Sequence, residues 1–341
     1  MITYPWDTPP AEGAIIEVAE GVLWIRLPLP MALDHVNVYA LDDGDGWTII
    51  DTGMSSKRTK AIWEALLSGP LAGKPVTRTV VTHHHPDHVG MAGYFVGKGS
   101  DLQMSRTAWL MTRMLTLDEQ ATPPPETMTF YKRAGMDPAL LAKRQAERPF
   151  NFIDCVDPLP LGFTGLIEGG TIQMGGRTWD IRMGNGHAPA HATFWSRDDN
   201  LVIGGDQLLP SISPNLGVYP TEPEADPVAE WLESCERFQD FAREDQLVLG
   251  GHKLPYKGLP LRLRQLIDNH HSALRRLSEF LTIPQSATAC FPALFKRSIG
   301  EGEYGLALVE AVAHVNHLYL AGRATRHLNA DGVWVYQTGG D

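Results

Sequence analysis

The chain has 341 residues, 43% of them hydrophobic and 20% charged, which allows one large domain with a smaller appendage and excludes wholesale disorder. A net charge of −11 argues against a polyanion-binding protein, because nucleic-acid binders gather Lys and Arg to release phosphate counterions. The imbalance is uneven: residues 256–341 carry nine Lys and Arg against seven Asp and Glu, leaving −13 on residues 1–255.

Met1 to Pro10 lacks a basic stretch followed by an apolar run, and no apolar stretch is long enough to span a bilayer. Cys155, Cys235 and Cys290 are scattered without CxxC spacing. A reduced, cytoplasmic protein without a membrane anchor is expected.

Three β-rich runs come first, Ile15 to Val18, Val22 to Pro28 and His35 to Leu41, the last alternating polar and apolar residues as in a meander. Trp47 to Ile50 then leads into Asp51-Thr52-Gly53, a helical stretch Lys57 to Leu67 and a short run Thr79 to Val81, an α/β layer pattern. From about 105 to 150 the chain reads as a helical insertion broken at Pro123-Pro124-Pro125 and Asp137-Pro138. Its apolar residues, among them Trp109, Met114, Phe130 and Tyr131, suit either packing or a lid, and Lys132 and Arg133 read as charges on an exposed helix.

Strands resume at Thr171 to Met174, Thr178 to Met183, Ala192 to Trp195 and Leu201 to Ile203, followed by a helix near Pro227 to Phe241 and a strand Gln246 to Leu249. Two β-then-α halves predict a four-layer αββα sandwich. The C-terminal part predicts helices over Leu261 to Leu281 and Glu303 to Leu320 and then a hairpin around Asp331-Gly332. The domains are therefore drawn as 1–255 and 256–341, the second winged-helix-like.

The chemistry concentrates at Thr82-His83-His84-His85-Pro86-Asp87-His88, four imidazoles and a carboxylate directly after a strand. His83 and His85 are two apart, so an extended backbone sets both rings on one side, able to grip an ion at about 2.0–2.1 Å. Asp87 and His88 are then free to serve a second ion, and His84 points away.

The HxHxDH pattern at 83–88, preceded by Asp51-Thr52-Gly53, resembles the signature of the metallo-β-lactamase superfamily. The resemblance implies three further ligands, each after a strand: His187 in Gly186-His187, Asp206 in Gly204-Gly205-Asp206 and His252 in Gly251-His252. On that reading His83, His85 and His187 hold one ion, Asp87, His88 and His252 a second, and Asp206 bridges them. The site departs from the usual pattern at Asn185, where proline is common, and at Lys253 after the last histidine.

Two divalent ions, zinc by preference with iron or manganese as alternatives, would acidify a bridging water and make a hydroxide nucleophile. Asp87 is a candidate to orient it. Asp51 is expected to fix the ligand loop by hydrogen bonds, and His191 to lie beside the site as a further imidazole. His270 and His271 are assigned to a solvated helix face or an inter-domain contact.

The expected function is a metal-dependent hydrolase of a small thioester or lactone. A phosphodiesterase resembling endoribonuclease members is the second reading, and a ligand sensor contacting DNA or a partner the third. The partner is thus a small-molecule substrate, nucleic acid is compatible but disfavoured, and a homodimer contact stays open.

Overall fold

The computed structural model describes residues 1–295 and 297–339. The chain divides into two compact units, one of residues 1–119, 151–214 and 241–262, the other of residues 120–150, 215–240 and 263 onward.

Two sheets build the first unit. Seven strands lie in chain order in one of them: β1 (Ile15–Ala19), β2 (Val22–Pro28), β3 (His35–Asp42), β4 (Trp47–Ile50), β5 (Val76–Val80), β6 (Asp101–Ser105) and β7 (Thr164–Leu166). Pairing is antiparallel up to β4 and parallel from there on, as a strand-helix-strand crossover requires. The other sheet holds β8 (Thr171–Met174), β9 (Arg177–Gly184), β10 (His191–Ser196), β11 (Leu201–Gly205) and β12 (Leu247–Gly250), in the order β12-β11-β10-β9-β8 with only β11 and β12 parallel.

The side-chain period of two sorts the strands between layers. Tyr39 and Leu41 of β3 face the second sheet and join Trp24, Trp179, Ile181, Phe194, Ile203 and Leu249 in one core. Val36, Val38 and Ala40 face the opposite way, toward Ile62, Trp63 and Leu66 of the helix Lys57–Ser68. Ser56 caps that helix by accepting from the Thr59 amide, and Trp63 donates its indole N–H to the Thr52 carbonyl at 2.8 Å. The helix thereby braces the loop that carries Asp51.

The architecture is the expected mixed α/β fold with two sheets. Two strands have no counterpart among the expected elements, β6 and the three-residue β7, each too short to carry a clear period of its own. The insertion breaks where its prolines stand: helices Arg106–Leu117, Pro125–Ala134 and Pro138–Ala146, each of the last two with proline in its first turn.

In the second unit the helices Pro227–Gln239 and Tyr304–Leu320, together with most of Leu259–Phe280, accompany a hairpin of β13 (Thr325–Leu328) and β14 (Trp334–Gln337). The hairpin loop is organised by Asn329, whose Oδ1 accepts from the amides of Asp331 and Val333. His271 is exposed as expected, but His270 is not on a solvated face. It is 2% exposed, stacked on His314 with ring centroids 5.6 Å apart and edge-on to Trp231. Among the described residues no helix is long and apolar enough to cross a membrane.

Candidate metal centre

Every predicted ligand sits just past the end of a strand: residues 83–88 after β5, His187 after β9, Asp206 after β11 and His252 after β12. Strand ends release the backbone from the ladder, so a loop can turn polar side chains inward. Pro86 opens a short helical turn, Pro86–Val89, in which Asp87 and His88 sit.

The structure brings the seven side chains together. Three donor sets converge: His83, His85 and His187; His83, His88 and Asp206; and Asp87, His88 and His252. His85 Nδ1 stands 3.0 Å from both His83 Nε2 and His187 Nε2. His88 Nε2 lies 3.5 Å from Asp87 Oδ2 and 3.4 Å from Asp206 Oδ1, and His252 Nε2 is 3.4 Å from Asp87 Oδ2. Asp206 Oδ2 is 3.2 Å from His252 Nε2 and 3.5 Å from His187 Nε2, so this one carboxyl reaches both groups.

These separations fit cations. Two donors each about 2.1 Å from a tetrahedral ion stand roughly 3.4 Å apart. His88 Nε2 and Asp206 Oδ1 are buried and make no hydrogen bond, which costs free energy unless a cation takes their lone pairs. Imidazole nitrogen with carboxylate oxygen is the donor set that zinc-type ions accept.

Hydrogen bonds behind the donors fix which nitrogen faces inward. His252 Nδ1 meets the His35 carbonyl oxygen at 2.7 Å, an acceptor only, so Nδ1 carries the proton and Nε2 offers its lone pair. His88 Nδ1 meets Asp51 Oδ2 at 2.8 Å to the same effect. Asp51 also accepts from the Thr82 amide (2.8 Å) and hydroxyl (2.9 Å), and it holds a left-handed backbone, φ 58°. Its carboxyl thus ties the Asp51 loop to the histidine loop and is not among the converging donors.

His191 is fully buried, stacked on His83 with centroids 4.5 Å apart, and its Nε2 accepts from the Asp206 amide at 3.1 Å. It braces the backbone of Asp206. His84 is 6% exposed and lies nearly parallel to Phe152, outside all three donor sets.

The electrostatics divide the site. Burial, reinforced by neighbouring imidazoles, holds His83 and His85 well below the ordinary histidine range, so they stay neutral donors. Burial also opposes charge on His88 and His252, yet carboxylates reverse it: Asp206, Asp87 and Asp51 raise His88 well above its usual range, and Asp206 and Asp87 push His252 up to about 10. This half of the pocket is built to hold positive charge.

Some close partners carried no recognisable motif. Asn37 and Tyr39 of β3 bind the carbonyls of the loop presenting His252. A Cβ at Gly251 would overlap Asp206 Oδ1 and lie 2.8 Å from His88 Cε1, so this position must lack a side chain. The Gly-His pair in the sequence was the available signal for Gly251; for Asn37 there was none.

Comparison with known proteins agrees with this geometry. Residues 31–252 match the family model of the metallo-β-lactamase superfamily, and residues 274–339 match that of a metallo-β-lactamase-like C-terminal domain. The chain belongs to the metallo-β-lactamase superfamily and is a hydrolase of that superfamily. A β-lactamase domain protein from Burkholderia ambifaria, known from a crystal structure, is 36% identical, with a TM-score of 0.91 over 99% of this chain and 98% of that one. A probable metallo-hydrolase from Bacillus subtilis is 25% identical over 311 residues, 88% of this chain and 92% of its own. A metallo-β-lactamase family protein from Thermus thermophilus shares the fold, with a TM-score of 0.79, 24% identity and coverage of 95% and 100%.

Proposed function

We propose that the protein hydrolyses a small ester-type substrate, a thioester or lactone, with two divalent cations held in the pocket of the first unit. One observation carries this reading: Asp206 lies within 3.5 Å of ligand nitrogens from both histidine groups, which a single-ion site has no need of.

His83, His85 and His187 would hold one ion and Asp87, His88 and His252 the other, with the Asp206 carboxylate between them and zinc the ion best suited to the donors. When bound, such a pair acidifies water and stabilises negative charge developing on a carbonyl oxygen. The chain supplies the rest. Neutral His83 and His85 keep their lone pairs directed inward, Asp51 and the His35 carbonyl lock the tautomers of His88 and His252, and Asp87 presents an oxygen to the same space. A small neutral substrate rather than a polyanion is favoured by the charge of −13 on residues 1–255. The C-terminal helices and hairpin are read as winged-helix-like.

Metal analysis of purified protein, joined to a turnover screen with thioesters, lactones and bis-p-nitrophenyl phosphate, tests the proposal. Two ions per chain with thioester or lactone turnover is the expected result. Turnover confined to the phosphodiester would replace the substrate class, and fewer than two ions would overturn the two-metal site.

A further inference from the structure

We propose that Asn37 is a positioning residue that sets the affinity of one metal subsite by clamping the turn carrying His252. The inference rests on the two-metal reading above and concerns a residue outside the donor set.

Lys253 holds a left-handed backbone, φ 67°, which L side chains disfavour and which persists only where surrounding bonds impose it. Those bonds come from β3. The Asn37 side-chain amide donates to the carbonyls of Gly250 (3.0 Å) and Lys253 (2.7 Å), bracketing His252 on both sides. Tyr39 Oη donates to the same Gly250 carbonyl at 2.8 Å, and the Asn37 backbone N–H donates to the Gly251 carbonyl at 2.7 Å. His35 closes the set, its Nε2 accepting from the Lys253 amide at 3.0 Å and its carbonyl from His252 Nδ1 at 2.7 Å.

Residues 35, 37 and 39 share one face of the strand, so a single rigid element grips the turn at successive points. Asn37 is the centre of that grip. It is 1% exposed, and the indole N–H of Trp24 donates to its Oδ1 at 2.9 Å, which leaves the amide N–H groups facing the two carbonyls. An aspartate there would present only acceptors to those carbonyls, and a leucine nothing. Every bond of this clamp ends on residues 250–253, the turn that carries His252. The consequence is selective: loosening Asn37 frees His252 and leaves the other histidine group in place.

The test is zinc titration of Asn37→Leu against wild type and His252→Ala, with stoichiometry by atomic emission, affinity by chelator competition and folding by circular dichroism of the metal-free proteins. Cobalt(II) absorption identifies which subsite remains. A folded N37L that keeps one ion, binds the second at least tenfold more weakly and shows a residual cobalt spectrum coinciding with that of H252A is expected. A folded N37L that binds both ions as wild type does, or weakens both equally, overturns the inference while leaving the two-metal reading intact. Wild type that takes fewer than two ions overturns both. Should N37L not fold, Tyr39→Phe decides: a smaller weakening of the same one ion supports the clamp, and unchanged binding refutes it.

Discussion

At Gly251 the site depends on a missing atom. Its backbone needs no unusual φ, so Gly251→Ala adds strain only through the new methyl, which overlaps Asp206 Oδ1 and crowds His88. Asp206 would have to swing away, and on the two-metal reading proposed above zinc content should drop from two ions to one or none, read by atomic emission, while the fold survives. Full occupancy in a folded G251A would show that Asp206 is not needed where it stands. Asp51 presents the complementary case. Asp51→Asn keeps the shape but sets its NH2 either against the Thr82 amide or against both the Thr82 hydroxyl and His88 Nδ1–H, so a loss of metal affinity of about 10–100-fold is expected in chelator competition. The converging donors were legible in sequence: residues 83–88 because imidazoles and a carboxylate after a strand end have few other reasons to gather, and His187, Asp206 and His252 through the family resemblance. Asn37 and Tyr39 were not, since their roles consist of contacts with residues far along the chain, and Gly251 was marked only by its Gly-His pair.

Among the elements, β3 shows why a correct strand can hide its purpose. His35, Asn37 and Tyr39 alternate with Val36, Val38 and Ala40, the pattern of a strand with one wet face, yet His35 to Leu41 is buried throughout. Alternation reports two different environments and not which of them is water. The helix Tyr304–Leu320 is the converse, buried along most of its length with Glu310 among apolar neighbours. Burial raises the Glu310 carboxyl from its ordinary 4.5 to about 7, although the Asn215 amide, donating to Oε2 at 2.8 Å, pulls the other way. Between those two pH values the native state binds more protons than the unfolded state, so this group's share of stability is present below pH 4.5 and is lost as pH rises through 7. Glu310→Gln keeps the hydrogen bond and should leave stability unchanged at pH 4 while raising it at pH 9 by up to ~3 kcal/mol, measured by urea unfolding. A gain that is equal at both pH values would contradict a raised carboxyl pKa.

At the scale of the whole chain, the proposed ligands come from positions 83 to 252 and converge in one unit whose core lies between two sheets. The order of those ligands was readable, each following its strand. Membership of residues 120–150 and 215–240 with the C-terminal helices was not, because it is decided by long-range burial that no local period records. Convergence has a thermodynamic corollary: the unfolded chain scatters these donors, so cations bind the native state far better and stabilise it by mass action. At a free concentration a thousandfold above the dissociation constant the gain is about 4 kcal/mol for one site, which for a unit of this size corresponds to a melting shift of roughly 8–16 °C. Stripping zinc with a chelator should lower the melting temperature of the first unit by that order, and adding zinc back should restore it. Because His88 and His252 are left beside unneutralised carboxylates once the cations leave, protons compete for their lone pairs, and zinc rescue should weaken as pH falls. Protein that demonstrably carried two ions and melts at the same temperature without them would mean that the donors do not converge on cations in the folded state.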